Sequence, residues 1–449
     1  LVVLMLVTTF PMSGMVAFAE EVSWTLNEKS DKPSTIKKPS DEITAEDLRD
    51  PLPSVEIKNE DVSGVLVDVG EYYKTYLDET GTYTSVISNI PNYYTDDKGN
   101  INAYDNTLVE ENHLFSSDEI TNKNSNINVS FSEKFDSEGI SFEFDDAKIS
   151  LVPIDGDYSA YSAVDNAIRY NNVYDGIDVQ YTVSELGVNE YIILNKFVDK
   201  NSFSYAVESN GNTIELVNNE LIVKKPGSTE IAYTISAPFM SDAAGEISSN
   251  IKLTFIDDIL TVIADSEWLS DLNRAYPVII DPDISTNGEL TTRTVKESGL
   301  YASDKYGYAG WIDNDATGNM GVIGSTKLMI EIGNSFFKEV PDGIVVKNAT
   351  LYIHQYGGIY NNRYGKRVQN ELNCYRVGTP WSFDTIKYDT QIERYFLDSE
   401  PNKGSSGDAG KKIFDISEAV TAWCNGEAEQ YGLCIDVSDG ATGSGAACY

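Results

Sequence analysis

Ring-bearing side chains alternate with small and aliphatic ones along one short stretch of the chain, NATLYIHQY at 348–356. The two sets are Ala349, Leu351 and Ile353 on one side and Tyr352, His354 and Tyr356 on the other. Side chains of a strand point alternately to its two faces, so an apolar row in the core sends the rings to the surface. Sugars stack on exposed rings, while hydroxyl and imidazole groups supply hydrogen bonds. The pattern predicts a carbohydrate-binding face; the alternative is that the rings pack under loops or against a neighbouring domain.

A segment rich in glycine and tyrosine lies upstream, YASDKYGYAGW at 301–311. Three of its rings are expected to form a second sugar-binding platform: Tyr306, Tyr308 and Trp311. In DNDATGN at 313–319, oxygen-bearing side chains alternate as in the first half of a calcium-binding loop: Asp313, Asp315 and Thr317. The acidic residue that should close such a loop is missing, because Gly324 occupies its place. A polar turn is therefore favoured over structural Ca²⁺, and no other cofactor is expected.

Signatures of catalysis are scarce in the sequence. The two histidines, His113 and His354, leave almost nothing for a Ser/His/Asp triad or an HExxH zinc site. No GxSxG occurs, and GNMGVIGSTK at 318–327 misses the spacing of a phosphate-binding loop. Glycoside hydrolysis needs a pair of carboxylates, but any two of the 71 acidic residues could be chosen. The presence of such a pair therefore does not distinguish a glycosidase from other proteins. We expect no catalysis in this chain, and the alternative is a glycan-cleaving enzyme.

The charge of the chain bears on its partners. The 71 acidic and 33 basic residues give a net charge of −38, which repels phosphate backbones and anionic membrane surfaces. We therefore expect no nucleic-acid partner, and a neutral or cationic glycan in preference to a polyanion. The composition, 41% hydrophobic and 11% aromatic over 449 residues, is typical of folded protein and allows two or three domains.

The first residues indicate export. LVVLMLVTTF is ten residues without a charge, and Ala17 and Ala19 provide the small residues of a cleavage site. The apolar run is too short to cross a membrane, so residues 1–19 are predicted to be a secretory signal peptide. We expect a secreted, extracellular or wall-associated protein without a membrane segment after cleavage. With no Met and no basic leader in front and an abrupt end at Tyr449, the sequence reads as a fragment.

The remainder of the chain predicts an all-β protein with two antiparallel, sandwich-like domains in tandem. Residues 20–54 are charged, contain prolines and have no apolar periodicity, so they form a linker. Residues 55–283 alternate as strands do, with hairpin turns at Asn218–Asn219 and Asp257–Asp258. The stretch YPVIIDP at 276–282 is a short strand that closes this domain, because two prolines bracket three β-branched residues. Residues 284–449 form the second domain, which is β-rich again.

Two details of the second domain are predicted. DISEAVTAWC at 415–424 has the apolar spacing of a short helix, capped by Asp415 or Ser417 and ended by Gly426. All cysteines lie in this domain: Cys374, Cys424, Cys434 and Cys448. Export permits disulfides in any of three pairings, but Cys374 and Cys434 fall in apolar strands, where a buried free thiol is favoured.

Three segments in order and spacing resemble the DNRLRE domain, a secreted β-sandwich related to carbohydrate-binding modules: VKNATLYIHQY, NCYRVGTPWSFDTIKYDTQ and FDISEAVTAWCNGEAEQYGLCI. Upstream stretches, among them VYDGIDVQYTVSELGVNEYIIL and APFMSDAAGE, resemble the region that precedes this domain in wall-associated proteins with YD (Rhs-type) repeats from Gram-positive bacteria. The resemblance covers roughly residues 65–445, although the literal string DNRLRE is absent. Trp381 and Trp423, inside these motifs, are expected in the core.

The resemblance implies the N-terminal, non-catalytic segment of a large surface protein, followed by a repeat region of the same polypeptide. Its expected role is adhesion or scaffolding, with weak binding of cell-wall or environmental polysaccharide by the second domain. A purely structural spacer is the further alternative, because a fold by itself does not settle function.

Overall fold

The structure is a computed structural model. It describes the following residues: 2–9, 62–88, 90–96, 98–111, 119–132, 139–217, 219–236, 238–244, 247–248, 250–286, 290–296, 299–300, 307–312, 324–333, 336–337, 340, 344–360, 370–382, 386–387, 390–402, 410–437 and 444–448.

The described residues of the first two thirds of the chain form short strands and one helical turn. In chain order the strands are β1 Val2–Thr9, β2 Val65–Val69, β3 Tyr73–Leu77, β4 Thr82–Ser88, β5 Tyr94–Thr95, β6 Ile101–Asn102, β7 Asp105–Glu111, β8 Glu119–Asn124, β9 Ile127–Ser132, β10 Ile140–Phe144, β11 Ala147–Pro153, β12 Tyr161–Val164, β13 Ala167–Tyr174, β14 Ile177–Val183, β15 Gly187–Leu194, β16 Ser202–Glu208, β17 Thr213–Val217, β18 Glu220–Lys224, β19 Ile231–Ile235, β20 Phe239–Asp242, β21 Ile247–Ser248, β22 Ile251–Ile256, β23 Ile259–Ala264, β24 Val278–Asp281 and β25 Asp283–Ser285. The helical turn α1, Ser266–Leu269, falls between β23 and β24.

The described residues of the last third add longer strands and one helix. The strands are β26 Leu290–Lys296, β27 Gly299–Leu300, β28 Gly307–Ile312, β29 Gly324–Ile332, β30 Val345–Tyr360, β31 Asn370–Val377, β32 Arg394–Asn402, β33 Gly410–Asp415, β34 Leu433–Val437 and β35 Ser444–Cys448. The helix α2, Ser417–Cys424, falls between β33 and β34.

Strands β7–β25 build two antiparallel sheets that together form the first sandwich. One has the order β22-β23-β16-β11-β10-β9-β8-β7; the other has the order β12-β13-β14-β15-β25-β19-β18-β17, with β24 paired to β15 and β20, and β21 paired to β20. The predicted hairpins are confirmed. Asn219, Asp257 and Asp258 have φ values of 71°, 51° and 58°, the left-handed conformation that two-residue turns favour.

The two sheets pack face to face through aromatic residues. The rings of Phe142 on β10 and Tyr233 on β19 are 4.6 Å apart, and those of Phe131 on β9 and Tyr181 on β14 are 5.5 Å apart. The strand alternation predicted for residues 55–283 is seen on β10, where Ile140 and Phe142 are each 1% exposed. Burial of this apolar surface supplies the main driving force for folding.

One carboxylate lies between the sheets of the first sandwich. Glu190 on β15 is 6% exposed and accepts hydrogen bonds from the hydroxyls of Tyr181, at 2.7 Å, and Tyr205, at 2.8 Å. Burial raises the pKa of both tyrosines well above the ordinary value, so both hydroxyls keep their protons and donate. Tyr205 belongs to β16 of the opposite sheet, so the network ties the two sheets together.

The stretch 276–282 forms a strand, as predicted: it is β24, in which Val278 and Ile280 are fully buried. A buried ion pair lies beside it. Arg274 Nη1 donates to Asp242 Oδ2 at 2.9 Å, and the two side chains are 4% and 2% exposed. The Arg274 guanidinium also lies 3.4 Å from the ring centre of Trp268 on α1. The pair therefore fastens the helical turn and the approach to β24 onto β20.

Most of the other strands belong to one 14-stranded sheet, which folds back on itself to form the second sandwich. Its strand order is β2-β3-β4-β1-β30-β35-β28-β29-β34-β31-β32. β33 lies beside β30, β26 beside β29 and β27 beside β26; β5 and β6 pair separately. The sheet curls round, because the Asp415 N–H on β33 donates to Asp398 on β32 at 2.8 Å and Lys412 donates to the carbonyl of Pro401 at 2.6 Å. Leu351 and Leu433, both fully buried, belong to its core. The all-β, sandwich-like fold predicted from the sequence is confirmed.

The second sandwich includes residues from the stretch that the sequence assigns to the first domain. Strands β2–β4 lie in its sheet, and Tyr73 and Ile87 are buried in its core. The Tyr73 ring is 5.2 Å from that of Phe336. β1, which falls in the predicted signal peptide, pairs with both β4 and β30. The signal peptide itself stays a prediction.

The predicted helix of the second domain is present as α2. Gly426 follows it with a φ of 68°, as predicted for its end. At its start the prediction was wrong, because Ile416 occupies the capping position; Asp415 accepts the Ser417 N–H at 2.9 Å, and Ser417 is already helical. Trp423 is buried as expected at 8% exposure, whereas Trp381 is only half-buried. None of the described helices is long and apolar enough to cross a membrane.

Candidate functional site

The aromatic row predicted on β30 is described only at its start. Ala349, Leu351 and Ile353 are at most 2% exposed, so the predicted core row is confirmed. Tyr352 lies between them on the opposite face, half-buried, with Lys411 Nζ 3.9 Å from its ring centre. The backbone of His354 and Tyr356 continues the strand, but their side chains lie outside the described residues.

The other predicted site residues are not described at side-chain level. Tyr308 and Trp311 belong to β28 by their backbone. Tyr306 and the calcium-like set lie outside the described residues: Asp313, Asp315 and Thr317. Within the described part of the chain, no cluster of three His, Cys, Asp or Glu side chains has the geometry of a metal site. The second platform and structural Ca²⁺ stay predictions.

A different group of polar and aromatic side chains shares one face of β31, β32 and β34; it is called the β31–β32 platform below. Its members are Asn373, Tyr375, Arg394, Phe396 and Asp436. The register places them together, since Asn373 is opposite Asp436, Tyr375 is opposite Phe396, and Arg394 is the next but one residue on β32. The Tyr375 and Phe396 rings are 5.9 Å apart in an edge-to-face arrangement. Phe396 is 57% exposed, which is unusual for a phenylalanine in a central position on a strand.

Hydrogen bonds and charges fix the polar members of the platform. Arg394 Nη1 donates to Asp436 Oδ2 at 2.6 Å, its guanidinium lies 4.8 Å from the Tyr375 ring centre, and Asn373 donates to the Tyr375 hydroxyl at 3.2 Å. Burial raises the pKa of Asp436, although Arg394 and Lys327 pull it down. For Arg394 burial acts to lower the pKa, but the hydrogen bond to Asp436 prevails and the pKa rises. The guanidinium therefore stays charged and held in place.

This arrangement suits a ligand with an apolar ring face edged by hydroxyl groups. The exposed ring offers stacking area, while the guanidinium, amide and carboxylate supply donors and acceptors in positions fixed by their mutual bonds. The groups need little reordering on binding, which reduces the entropic cost. No acid–base step follows from this geometry, because the one carboxylate is already paired with an arginine.

The sequence contains a signal for the platform, but it is ambiguous. In ELNCYRV and ERYFL the rings and arginines are adjacent, so strand alternation alone puts Tyr375 and Arg376 on opposite faces. A register shift between Cys374 and Tyr375 then decides which residue of β32 each one meets. Strand pairing of this kind is not visible in one sequence, so the platform was missed.

The thiols of the second sandwich behave as the sequence predicts. Cys374 and Cys434 are fully buried and free, and Cys424 is free and half-buried. Burial raises the pKa of Cys434 to about 12 and that of Cys424 to about 11, and it raises that of Cys374 well above the ordinary value. A thiol in such surroundings is unreactive, because the thiolate is the nucleophile.

We expect Cys374 and Cys434 to remain unmodified by Ellman's reagent at pH 8 in the folded chain, while Cys424 reacts slowly. The measurement uses a Cys448→Ser variant, so that only these three thiols are counted, and denaturant should then release all three. Because folding raises their pKa values, their contribution to stability is complete below the unfolded-state pKa of about 8.5 and is lost as the pH rises through the folded-state values. Fast reaction of all three in the folded state, or fewer than three after unfolding, would contradict the assignment.

Curated proteins resemble this chain, whereas no known family profile matches it. The chain is 25% identical over 310 residues to the tRNA3(Ser)-specific nuclease WapA of Bacillus spizizenii, which covers 64% of the chain and 13% of that protein. It is 26% identical over 149 residues to the tRNA nuclease WapA of Bacillus subtilis strain 168, covering 31% of the chain and 6% of that protein. The chain thus spans about an eighth or less of the length of these relatives. The similarity agrees with the expectation of a secreted, wall-associated protein.

The relatives correct two predictions. The sequence excluded catalysis and a nucleic-acid partner, and both exclusions are wrong because the relatives are named as tRNA nucleases. The physical reason is that both arguments apply only to the residues of this chain. The net charge of −38 belongs to a chain that covers 13% of one relative and 6% of another, and charges are screened over about 8 Å at physiological salt, so it gives no information on the uncovered parts of the relatives. Likewise, a motif search of this chain gives no information on the parts of the relatives outside the alignment.

Proposed function

We propose that this chain is part of a secreted, wall-associated protein and that its second sandwich holds the protein at the wall by binding polysaccharide. The observation that carries the proposal is the β31–β32 platform, with Phe396 exposed beside Tyr375, and with Arg394 paired to Asp436 and lying near the Tyr375 ring. The leader-like start and the resemblance to wall-associated proteins support the location. Adhesion or scaffolding is the role that such binding serves.

Charge favours a glycan over a nucleic acid as the ligand of the platform. Arg394 is already neutralised by Asp436 at 2.6 Å, so the pair offers hydrogen bonds and no excess positive charge. Nucleic-acid affinity depends on uncompensated lysine and arginine, which this pair does not supply. Neutral sugars need no such charge and still stack on the ring.

For the whole protein we propose tRNA cleavage, in keeping with the names of the relatives. The two proposals are compatible, because the aligned segment covers 13% or less of the two relatives, and different parts of a protein can attach and cleave. A tRNA cleavage assay of this chain, with and without divalent cations, tests how much of that activity the segment carries.

Binding of the full chain to an array of wall, plant and algal polysaccharides tests the platform. We expect a glycan whose retention weakens about tenfold, or roughly 1.4 kcal/mol, in Phe396→Ala, because the stacking ring is removed. Tyr395→Ala is the matched control: it is the neighbouring residue of β32, 43% exposed, and its side chain lies on the opposite face. A glycan bound equally by both variants would overturn the assignment of the face. Retention of tRNA and of no glycan would transfer the platform to nucleic acid.

A further inference from the structure

The first sandwich contains a cleft whose residues are distant in sequence from the β31–β32 platform. It lies between the β13–β14 turn and the segment that follows β15, and it has a volume of about 410 Å³. That is within the roughly 300–1,000 Å³ of small-molecule sites. Two aromatic residues, two lysines and two aspartates are among its lining: Tyr174, Phe197, Lys196, Lys200, Asp175 and Asp199.

The two lysines of the cleft differ in how they are paired. Lys196 Nζ is bonded to Asp175 at 3.0 Å, and its aliphatic stem lies over Gly176, where a Cβ would come within 2.3 Å of it. Lys200 Nζ instead lies 4.2 Å from the ring centre of Tyr174 and 5.5 Å from that of Phe203. Among the described residues it has no carboxylate within ion-pair distance. An ammonium over aromatic rings has three N–H donors, so it can contact the rings and still donate to a ligand.

The aromatic residues of the cleft are also positioned. The Tyr174 hydroxyl donates to the carbonyl of Asp155 at 2.8 Å, and its ring is 5.8 Å from that of Phe203. Phe197 is 52% exposed, although the adjacent Val198 packs against the core. Phe197 and Lys200, which has no carboxylate partner among the described residues, therefore line one cleft and offer a ligand an apolar contact beside a positive charge.

We propose that this cleft binds a sugar that carries one acidic group, a carboxylate or a phosphate. Lys200 contacts the acidic group, Phe197 packs on the apolar face of the sugar ring, and Asp199 accepts hydrogen bonds from its hydroxyls. Asp175 does not oppose the ligand, because Lys196 already neutralises it. The proposal is independent of the platform, which lies in the other sandwich, so failure of either leaves the other standing.

The test is ligand-observed NMR titration of the full chain with D-glucuronate, glucose 6-phosphate and D-glucose. We expect saturable binding of at least one acidic sugar, about tenfold tighter than that of glucose. Glucuronate and glucose 6-phosphate distinguish the carboxylate from the phosphate. Lys200→Met should abolish the preference for the acidic sugar, and Phe197→Ser should weaken all three ligands.

Two matched variants act as controls for folding and for general charge. Lys252→Met removes an exposed lysine from β22 of the same sandwich, and Ile256→Ser removes a large exposed apolar side chain from the same strand, 67% exposed. Neither should change binding. Equal affinity for all three sugars, no binding of any of them, or a loss in Lys252→Met as large as in Lys200→Met would each overturn the proposal.

Discussion

Replacing Arg274 with alanine should lower the free energy of unfolding by about 3–5 kcal/mol, because the buried carboxylate of Asp242 in the first sandwich loses its cationic partner. Both side chains are nearly inaccessible, and the Asp242 carboxylate also accepts the Ala275 N–H at 3.3 Å. The guanidinium further stacks on Trp268, which would lose that contact. Denaturant unfolding followed by tryptophan fluorescence measures the change.

The control for Arg274 is an ion pair of the same sandwich that faces water. Lys224 and Glu215 are 2.6 Å apart with side chains 21% and 46% exposed, so Lys224→Ala should cost at most about 1 kcal/mol. The double variant Arg274→Ala, Asp242→Ala should be less destabilised than the sum of its single changes, since no charge is left unpaired. If Arg274→Ala lowered the free energy of unfolding no more than Lys224→Ala does, the buried Arg274–Asp242 pair would not stabilise the first sandwich as proposed.

Replacing Glu190 with alanine should cost about 2–5 kcal/mol, because the hydroxyls of Tyr181 and Tyr205 lose a buried acceptor and a cavity opens between the sheets. Glu190→Gln keeps an oxygen in the same place and should cost far less. Tyr205→Phe removes one hydrogen bond while the acceptor keeps another, so about 1–2 kcal/mol is expected.

Thermal and denaturant unfolding of these three variants form one series. We expect Glu190→Ala to lower the free energy of unfolding more than Tyr205→Phe does, and Glu190→Gln to lower it much less than Glu190→Ala. If Glu190→Ala were neutral or stabilising, the carboxylate would not be what joins the two sheets.

Local chemistry made much of this fold predictable from the sequence. Asn219 and Asp257 mark turns because their side chains tolerate positive φ, and Gly426 ends α2 for the same reason. The buried row at Ala349, Leu351 and Ile353 followed from a period of two. Each of these depends only on residues close in the chain.

What stayed hidden depends on residues distant in the chain. Tyr73 packs against Phe336, more than 200 positions away, so no local pattern could show that strands β2–β4 belong to the second sandwich. The platform needs the pairing of three strands and a register shift at Tyr375. The cleft needs the segment after β15 to bring Lys200 onto the ring of Tyr174. Side-chain roles that arise from such pairing require the structure.

The exclusion of enzyme function failed for a different reason. It was drawn from the absence of motifs in a segment that spans only 13% of one relative and 6% of another. The absence of catalytic motifs from a segment concerns that segment alone, whereas the relatives' names refer to whole proteins.

Co-sedimentation with purified cell walls of a Gram-positive bacterium tests the central claim most directly. The full chain, its Phe396→Ala variant and its Tyr395→Ala control are each mixed with the walls, and the bound fraction is measured over a range of wall concentrations. We expect the unaltered chain and Tyr395→Ala to sediment alike, while Phe396→Ala needs about ten times more wall material for half-maximal binding. Equal sedimentation of all three proteins, or none by any of them, would contradict attachment through the β31–β32 platform.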